Sequence, residues 1–141
     1  MKILFAADGS SQSLAALETL VKSFAYFRET PALTLLHVHP PVPYKAAAAA
    51  VGHDVIQRYY DEESDKALAG ARDVLTARGI PFESAKRVGA PAEEVVKCAD
   101  DGKFSMIAMG TRGHTALANL VMGSVATGVV ARSKVPVLLL K

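Results

Sequence analysis

Residues Ser105–Arg132 read SMIAMGTRGHTALANLVMGSVATGVVAR, and this stretch decides the predicted fold. An apolar run from Ser105 to Met109 has the length and composition of a buried strand. Small apolar residues at helical spacing run from Val125 to Ala131. Three glycines lie between the two runs: Gly110, Gly113 and Gly123. The pattern predicts a strand, a glycine loop and a helix, in that order.

A strand that leads through glycines into a helix N-terminus brings several backbone N–H groups together, and such a place favours anions, above all phosphate. Gly110 and Gly113 are expected to adopt positive φ and to let a ligand approach the backbone closely. Gly123 is expected to do the same where the chain comes close to the ligand a second time, just before the helix. The Ser124 hydroxyl can accept from N–H groups of the helix start or donate to a phosphate oxygen.

The glycine spacing, G-x2-G-x9-G-S, differs from both the P-loop and the Rossmann fingerprint. No lysine lies beside Ser124, so Arg112 and His114 are the nearest candidates to contact phosphate. The spacing matches the G-x2-G-x9-G-[ST] signature of the universal stress protein family, in its ATP-binding branch. The opening ILFAADGSSQS, with Asp8 at the end of the first strand, also resembles this family, and the resemblance covers essentially the whole chain.

The resemblance implies a site for ATP, with the main chain of Val38 reading adenine and Asp8 contacting the nucleoside. A divalent ion, Mg²⁺ or Mn²⁺, is expected to be carried by the phosphates, because magnesium keeps most of its water and needs few protein ligands. Two structural alternatives stay open: Asp8 forms an Asx turn that positions the next helix, and Val38 is simply a buried strand residue. The predicted binding residues lie at strand ends or in the glycine loop: Ala7, Asp8, Val38, Met109, Gly110, Arg112, Gly113, His114, Gly123, Ser124 and Val125.

Composition limits the class of protein. Half of the 141 residues are hydrophobic, which suits one domain over residues 1–141 with a substantial core. A net charge of +2 gives no long-range field that would recruit nucleic acid or an anionic membrane. No apolar run reaches the ~18 residues of a membrane span. The single Cys98 fits a core position in a reducing compartment, so we expect a cytoplasmic protein.

The remaining strands follow from hydrophobic patterning. Continuous apolar runs from Lys2 to Ala7 and from Leu33 to Val38 predict buried parallel strands. Alternation from Phe82 to Val88 predicts an edge strand, and the proline-containing segment Val135 to Lys141 predicts another. With helices between them, these strands predict an α/β fold with a doubly wound five-stranded parallel sheet in the order 3-2-1-4-5, with helices on both faces.

Two helices and one edge carry further predictions. The pattern from Asp54 to Arg78 predicts a long helix that Gly79 ends, and Pro91 begins another. An uncovered apolar edge strand favours aggregation, so self-pairing is the economical cover. Since the resembled family dimerises through its last strand, we predict a homodimer through Val135–Leu140.

Three other groups have less specific patterns. His37 and His39 share a strand face and could hold a metal, but a convincing third ligand is missing. The acidic residues between Asp61 and Asp65 are interpreted as a solvated helix face without basic partners. The segment from Pro40 to Gly52, which contains the tract Ala46 to Ala50, predicts an insertion over the strand ends.

Three functions remain in competition. The first is an ATP-binding dimeric regulator that nucleotide switches between states in a stress response. The second is a slow ATP-hydrolysing or phosphotransfer enzyme in which Ser124 and His114 participate, although no catalytic base can be identified and no residue is assigned a catalytic role. The third is a ligand-free interaction dimer, against which the intact glycine signature argues.

Overall fold

Five parallel strands form one sheet in this computed structural model, which describes residues 1–43, 49–114 and 122–141. The strands are β1 (Lys2–Ala6), β2 (Ala32–His39), β3 (Phe82–Val88), β4 (Met106–Gly110) and β5 (Val137–Leu140). Their order is β3-β2-β1-β4-β5, and every neighbouring pair is parallel. This confirms the predicted order and places the ends of β1 and β4 side by side.

Four helices connect or follow these strands: α1 (Ser11–Ser23), α2 (His53–Ala77), α3 (Pro91–Asp101) and α4 (Ser124–Arg132). The side chain of Ser10 caps α1, and Pro91 is the first residue of α3, as expected from its preset φ. Helix α2 ends before Gly79, whose φ of 64° belongs to the left-handed region. Over the described ranges, no helix combines the length and the apolar character that a membrane crossing requires.

The core has two layers because side chains alternate along each strand. Ile3 and Phe5 of β1 pack with residues of α1 and α2, whereas Leu4 packs with residues of α3 and α4. Burial of Ile3, Leu4 and Phe5 is complete. The central position of β1 therefore explains why its sequence reads as an unbroken apolar run. Cys98 lies in the second layer, where burial raises the pKa of its thiol.

The two edges of the sheet have different characters. β3 alternates and is largely exposed, while Val137–Leu140 are apolar and half-buried throughout. The last strand begins at Val137 and not at Val135 as predicted. Proline has no N–H for a ladder, and Pro136 contributes only its carbonyl, which accepts from the Ile107 N–H at 3.0 Å.

The acidic face of α2 is less isolated than its sequence indicates. Asp65 pairs with Arg72 at 2.9 Å and with Lys86 of β3 at 2.8 Å, so the prediction of a face without basic partners is wrong. The long helix lies beside β3, which brings Lys86 within reach. These ion pairs are solvent-exposed and contribute little to stability. Two predicted segments lie partly outside the described residues: 44–48 of the insertion and 115–121 of the glycine loop.

Candidate functional site

A cavity of about 290 Å³ opens at the carboxyl ends of β1, β2 and β4. This is where the strand order reverses, since β1 connects onward to β2 on one side and pairs with β4 on the other. Ligand crevices in open α/β sheets occur at such a switch point. All eleven predicted binding residues line this one cavity: Ala7, Asp8, Val38, Met109, Gly110, Arg112, Gly113, His114, Gly123, Ser124 and Val125.

The first wall of the cavity is the turn between β1 and α1. Oδ1 of Asp8 accepts from the Ser10 N–H at 2.9 Å and from the Ser10 hydroxyl at 2.6 Å. The Ser10 Oγ in turn accepts from the Ser13 N–H at 3.1 Å, which caps the helix. Gly9 between them has a φ of 80°, a conformation that favours glycine. Asp8 thus forms the Asx turn, while its second oxygen, Oδ2, is directed toward Gly113.

None of the glycines of the motif has a positive φ, and the structure shows a close approach that requires glycine at Gly113. Gly110, Gly113 and Gly123 all lie outside the left-handed region, so the positive φ predicted for these three glycines is wrong. A Cβ on Gly113 would collide with Oδ2 of Asp8. At Gly123 the nearest described atom to such a Cβ is the Thr111 carbonyl oxygen, at 3.6 Å, which is ordinary contact. The described part of the chain therefore leaves room for a Cβ at Gly123.

The second wall is the N-terminus of α4. Gly123 is the N-cap residue, and its N–H donates to the Thr111 carbonyl at 2.7 Å. No side-chain hydrogen bond caps this helix among the described residues, and its first turn contains no acidic residue. Ser124 is the first helical residue and is exposed, so of the two roles that the sequence leaves open for its hydroxyl, capping is not observed. Because residues from Gly123 to Ala126 line the cavity, the first-turn N–H groups are presented to it.

His114 and Arg112 occupy the loop that joins the two walls. Nε2 of His114 donates to the carbonyl oxygen of Asp8 at 2.8 Å, because a carbonyl only accepts. Arg112 is exposed at the cavity rim. In this arrangement the imidazole is bound to the chain's own backbone, and the guanidinium is the cation available at the rim.

The third wall is apolar and comes from β2 and its surroundings. Val38 and Met109 are buried, and with Leu36 and Pro40 they form the apolar slot of the cavity. His37 also lines the cavity, whereas its place in the sequence indicates only a possible metal pair with His39. Its Nδ1 donates to the Ala7 carbonyl at 2.9 Å, and burial lowers the pKa of the ring. Across the described part of the chain, no three His, Cys, Asp or Glu side chains are grouped to hold a metal.

An anion-binding helix end and an apolar slot thus face one cavity, an arrangement suited to a ligand with a phosphate at one end and a planar ring at the other. The sequence analysis missed the contribution of His37, and its one sequence signal is a polar ring within a largely apolar strand, one residue before Val38.

Comparisons with known proteins agree with the fold and the motif. The model of the universal stress protein family matches residues 1–141. Universal stress protein MJ0531 of Methanocaldococcus jannaschii is 31% identical over 141 residues, which cover 99% of this chain and 81% of that protein. The solved structure of protein MJ0577 from the same organism superimposes with a TM-score of 0.75 at 28% identity, covering 99% of this chain and 94% of the other.

A universal stress protein solved in complex with cAMP superimposes with a TM-score of 0.60 at 26% identity, covering 99% of this chain and 95% of the other. The whole-length family match and the relatives of similar length agree with the glycine spacing and with the strand order. The chain belongs to the universal stress protein family.

Proposed function

We propose that this chain binds an adenine nucleotide, ATP foremost, in the cavity at the switch point and acts as a nucleotide-dependent dimeric regulator. The observation that carries the proposal is the uncapped N-terminus of α4 facing the same cavity as the apolar slot beside Val38. The cavity volume of about 290 Å³ lies near the lower bound of ~300 Å³ for small-molecule sites. The related protein solved with cAMP supports an adenine-containing ligand.

The nucleotide is oriented by the chemistry of the walls. Its base lies in the slot beside Val38, and its phosphates receive N–H groups from the first turn of α4. Oδ1 of Asp8 is already engaged by Ser10, so Oδ2 is the oxygen that accepts from a ribose hydroxyl. Arg112 at the rim supplies the positive charge for the terminal phosphates.

Magnesium or manganese accompanies the nucleotide in this proposal. Three-residue metal clusters are missing from the described ranges, and magnesium usually binds through phosphates and its own waters. In this proposal the phosphates bind the ion, and the protein binds the phosphates.

Binding without rapid hydrolysis is the form of the proposal that the side chains support. Phosphoryl transfer needs a positioned nucleophile and stabilising charge in line with it. The imidazole of His114 is bound to the Asp8 carbonyl, and Ser124 is exposed at the helix start. Neither side chain is arranged as a base beside a nucleophile, so bound nucleotide acts as a switch that orders the loops around it.

The dimer is proposed to form through β5. The carbonyls of Pro136 and Leu140 accept from β4, so the N–H groups of Val137 and Leu139 point to the outer edge of the sheet. Replacing Leu139 with Pro removes one outward N–H without removing a ladder bond to β4 and is expected to convert dimer to monomer. The control Leu139→Val keeps the N–H. Sedimentation equilibrium distinguishes the two, and a dimeric Leu139→Pro variant contradicts pairing through this edge.

Nucleotide binding is tested on the purified protein in two steps. The protein is denatured and the supernatant analysed for released adenine nucleotide. The nucleotide-stripped protein is then titrated with ATP, AMP and cAMP in the presence of Mg²⁺ while ADP production is followed. Binding without ADP production supports the switch. Steady ADP production that Ser124→Ala removes supports the enzyme instead, and a failure to bind all three ligands leaves only the interaction dimer.

A further inference from the structure

The main-chain groups at the end of β2 point in alternating directions. The Leu36 carbonyl accepts from the Ala7 N–H at 2.8 Å, on the side of β1. The His39 carbonyl accepts from the Gly89 N–H at 3.0 Å, on the side of β3. In a parallel ladder both groups of one residue point to the same side, and the side alternates along the strand. The N–H and C=O of Val38 therefore point toward β1, like those of Leu36.

The expected partner of the Val38 N–H is already engaged. If the ladder continued regularly, this N–H would donate to the Ala7 carbonyl, one step beyond the last pair of β1 with β2, Ala6 with Leu36. The Ala7 carbonyl instead accepts from Nδ1 of His37 at 2.9 Å. In the parts of the chain that the structure describes, Val38 makes no main-chain hydrogen bond to the end of β1. Its donor and acceptor therefore face the cavity that Val38 lines.

The His37 ring suits this task because it is half-buried and neutral. Burial lowers its pKa, and the titratable groups that act on it are His39, Asp8 and His114. The rings of His37 and His39 have centroids 6.4 Å apart. A neutral imidazole carries one N–H, and the bond to a carbonyl fixes it on Nδ1. The ring thus supplies the single donor that the Ala7 carbonyl needs.

We infer that His37 is a positioning residue for base selection: its ring takes the place of the Val38 N–H in the ladder and thereby leaves the Val38 main chain to read the base. This rests on the proposed nucleotide function. Adenine offers an acceptor at N1 and a donor at its 6-amino group, which match the N–H and C=O of Val38. Hypoxanthine offers a donor at N1 and an acceptor at the 6-oxygen, so both groups would meet a like partner. The site is therefore selective for adenine over hypoxanthine nucleotides.

The test compares ATP with inosine triphosphate on three proteins. The wild type is expected to bind ATP about tenfold more tightly than inosine triphosphate, because buried polar groups left without partners are costly. His37→Asn places an amide donor near the position of Nδ1 and should keep this ratio. His37→Leu has no donor, so the Val38 N–H returns to the Ala7 carbonyl and the ratio falls toward one. A purely structural ring would lower stability in both variants and leave the ratio unchanged.

A second measurement keeps the inference falsifiable if His37→Leu folds poorly. Hydrogen exchange of the Val38 amide is measured in the nucleotide-stripped wild type and in His37→Gln, whose longer side chain puts its amide away from the Nδ1 position. Slower exchange in the variant supports the inference, and equal exchange overturns it. A preserved ratio in His37→Leu also overturns it. If the wild type binds no adenine nucleotide at all, the proposed function fails, which is a distinguishable result.

Discussion

The N-termini of α1 and α4 lie at the same edge of the sheet, after adjacent strands, and the chain treats them in opposite ways. At α1, Ser10 caps the helix and the Asp8 carboxylate binds Ser10 through two hydrogen bonds. At α4, the N-cap is Gly123, with no capping side chain from the described residues and no acid in the first turn. The protein caps one positive helix end, and the described residues supply neither a cap nor an acid at the other.

The other two helices described above strengthen this contrast. Helix α3 has no side-chain cap, but Glu93 and Glu94 lie in its first turn, and α2 has Asp54 there. Acidic side chains near a helix start interact favourably with its dipole. Of these four helices, α4 alone combines an uncapped start with a first turn free of acids. The position of an anion site can therefore be inferred from which helix the chain leaves unsatisfied.

The largest effect on nucleotide binding is expected where the loop before α4 contacts the turn before α1. Gly113→Val puts a branched side chain against Oδ2 of Asp8 and should abolish measurable nucleotide binding, because either the loop or the carboxylate must move. Isothermal titration with ATP measures the loss. Gly123→Ala is the control for adding a methyl group, since its Cβ meets described atoms only at 3.6 Å or beyond and the fold should keep its melting temperature. Unchanged ATP affinity in Gly113→Val would contradict the site.

The difference between α1 and α4 can be removed by giving α4 a side-chain cap like that of α1. Gly123→Asp should weaken ATP binding roughly a hundredfold, since charge-assisted hydrogen bonds to the phosphates are lost and each is worth about 1.5–3 kcal/mol. The same change should raise the free energy of unfolding by a few tenths of a kcal/mol, because glycine is already a tolerable N-cap residue. Gly123→Asn caps without charge and should weaken binding less. A Gly123→Asp protein that gains stability and keeps its affinity would place the phosphates elsewhere.

The opposite change removes the side-chain cap from α1. Ser10→Ala removes the cap of Ser13 and one donor to Asp8, and it should lower the free energy of unfolding by about 1 kcal/mol. ATP affinity should fall less than in the two preceding cases, because Ser10 does not contact the phosphates. Ser11→Ala is the matched control: Ser11 is exposed, and among the described residues its hydroxyl bonds to the side chain of Gln12 alone. Urea unfolding measures both, and equal stability of the two variants would refute the cap.

The smallest effect is a pH dependence at the apolar wall. The pKa of His37 is lowered in the folded state, so below its ordinary value of ~6.5 the unfolded chain binds more protons. The contribution of this ring to stability is therefore complete above about pH 6.5 and is lost as the pH falls through the lower folded pKa. Urea unfolding at pH 7 and pH 5 should show a smaller drop in His37→Asn than in the wild type. An equal drop would mean that the ring titrates normally.

Strand order could be predicted because it follows from local composition. Apolar runs identify the buried strands, while alternation at Phe82–Val88 and Pro136 before the last strand identify the edges. The loop torsions could not be predicted, since they depend on the path between distant elements. Gly113 is a glycine because Asp8 lies against it, 105 positions earlier, and no local pattern contains that contact.

Which residues line the cavity could be predicted, but the hydrogen bonds among them could not. Glycine spacing and strand ends bring the eleven expected residues to one cavity. The bonds of His37 and His114 to the carbonyls of Ala7 and Asp8 depend on ring orientation and on strand register. Residue type predicts neither the ring orientation nor the register. A sequence can therefore indicate which residues line a cavity before it can indicate the hydrogen bonds between them.

The dipeptide Ala7–Asp8 joins three strand ends through two imidazole rings. One ring comes from β2, and the other from the loop after β4. His114 reaches this dipeptide through its side chain. If its ring donated to a phosphate oxygen instead of the Asp8 carbonyl, the loop would lose this hydrogen bond to the turn after β1 while the hydrogen bonds of the sheet stayed in place. A nucleotide that binds as proposed would in this way act on the loop and leave the sheet beneath it unchanged.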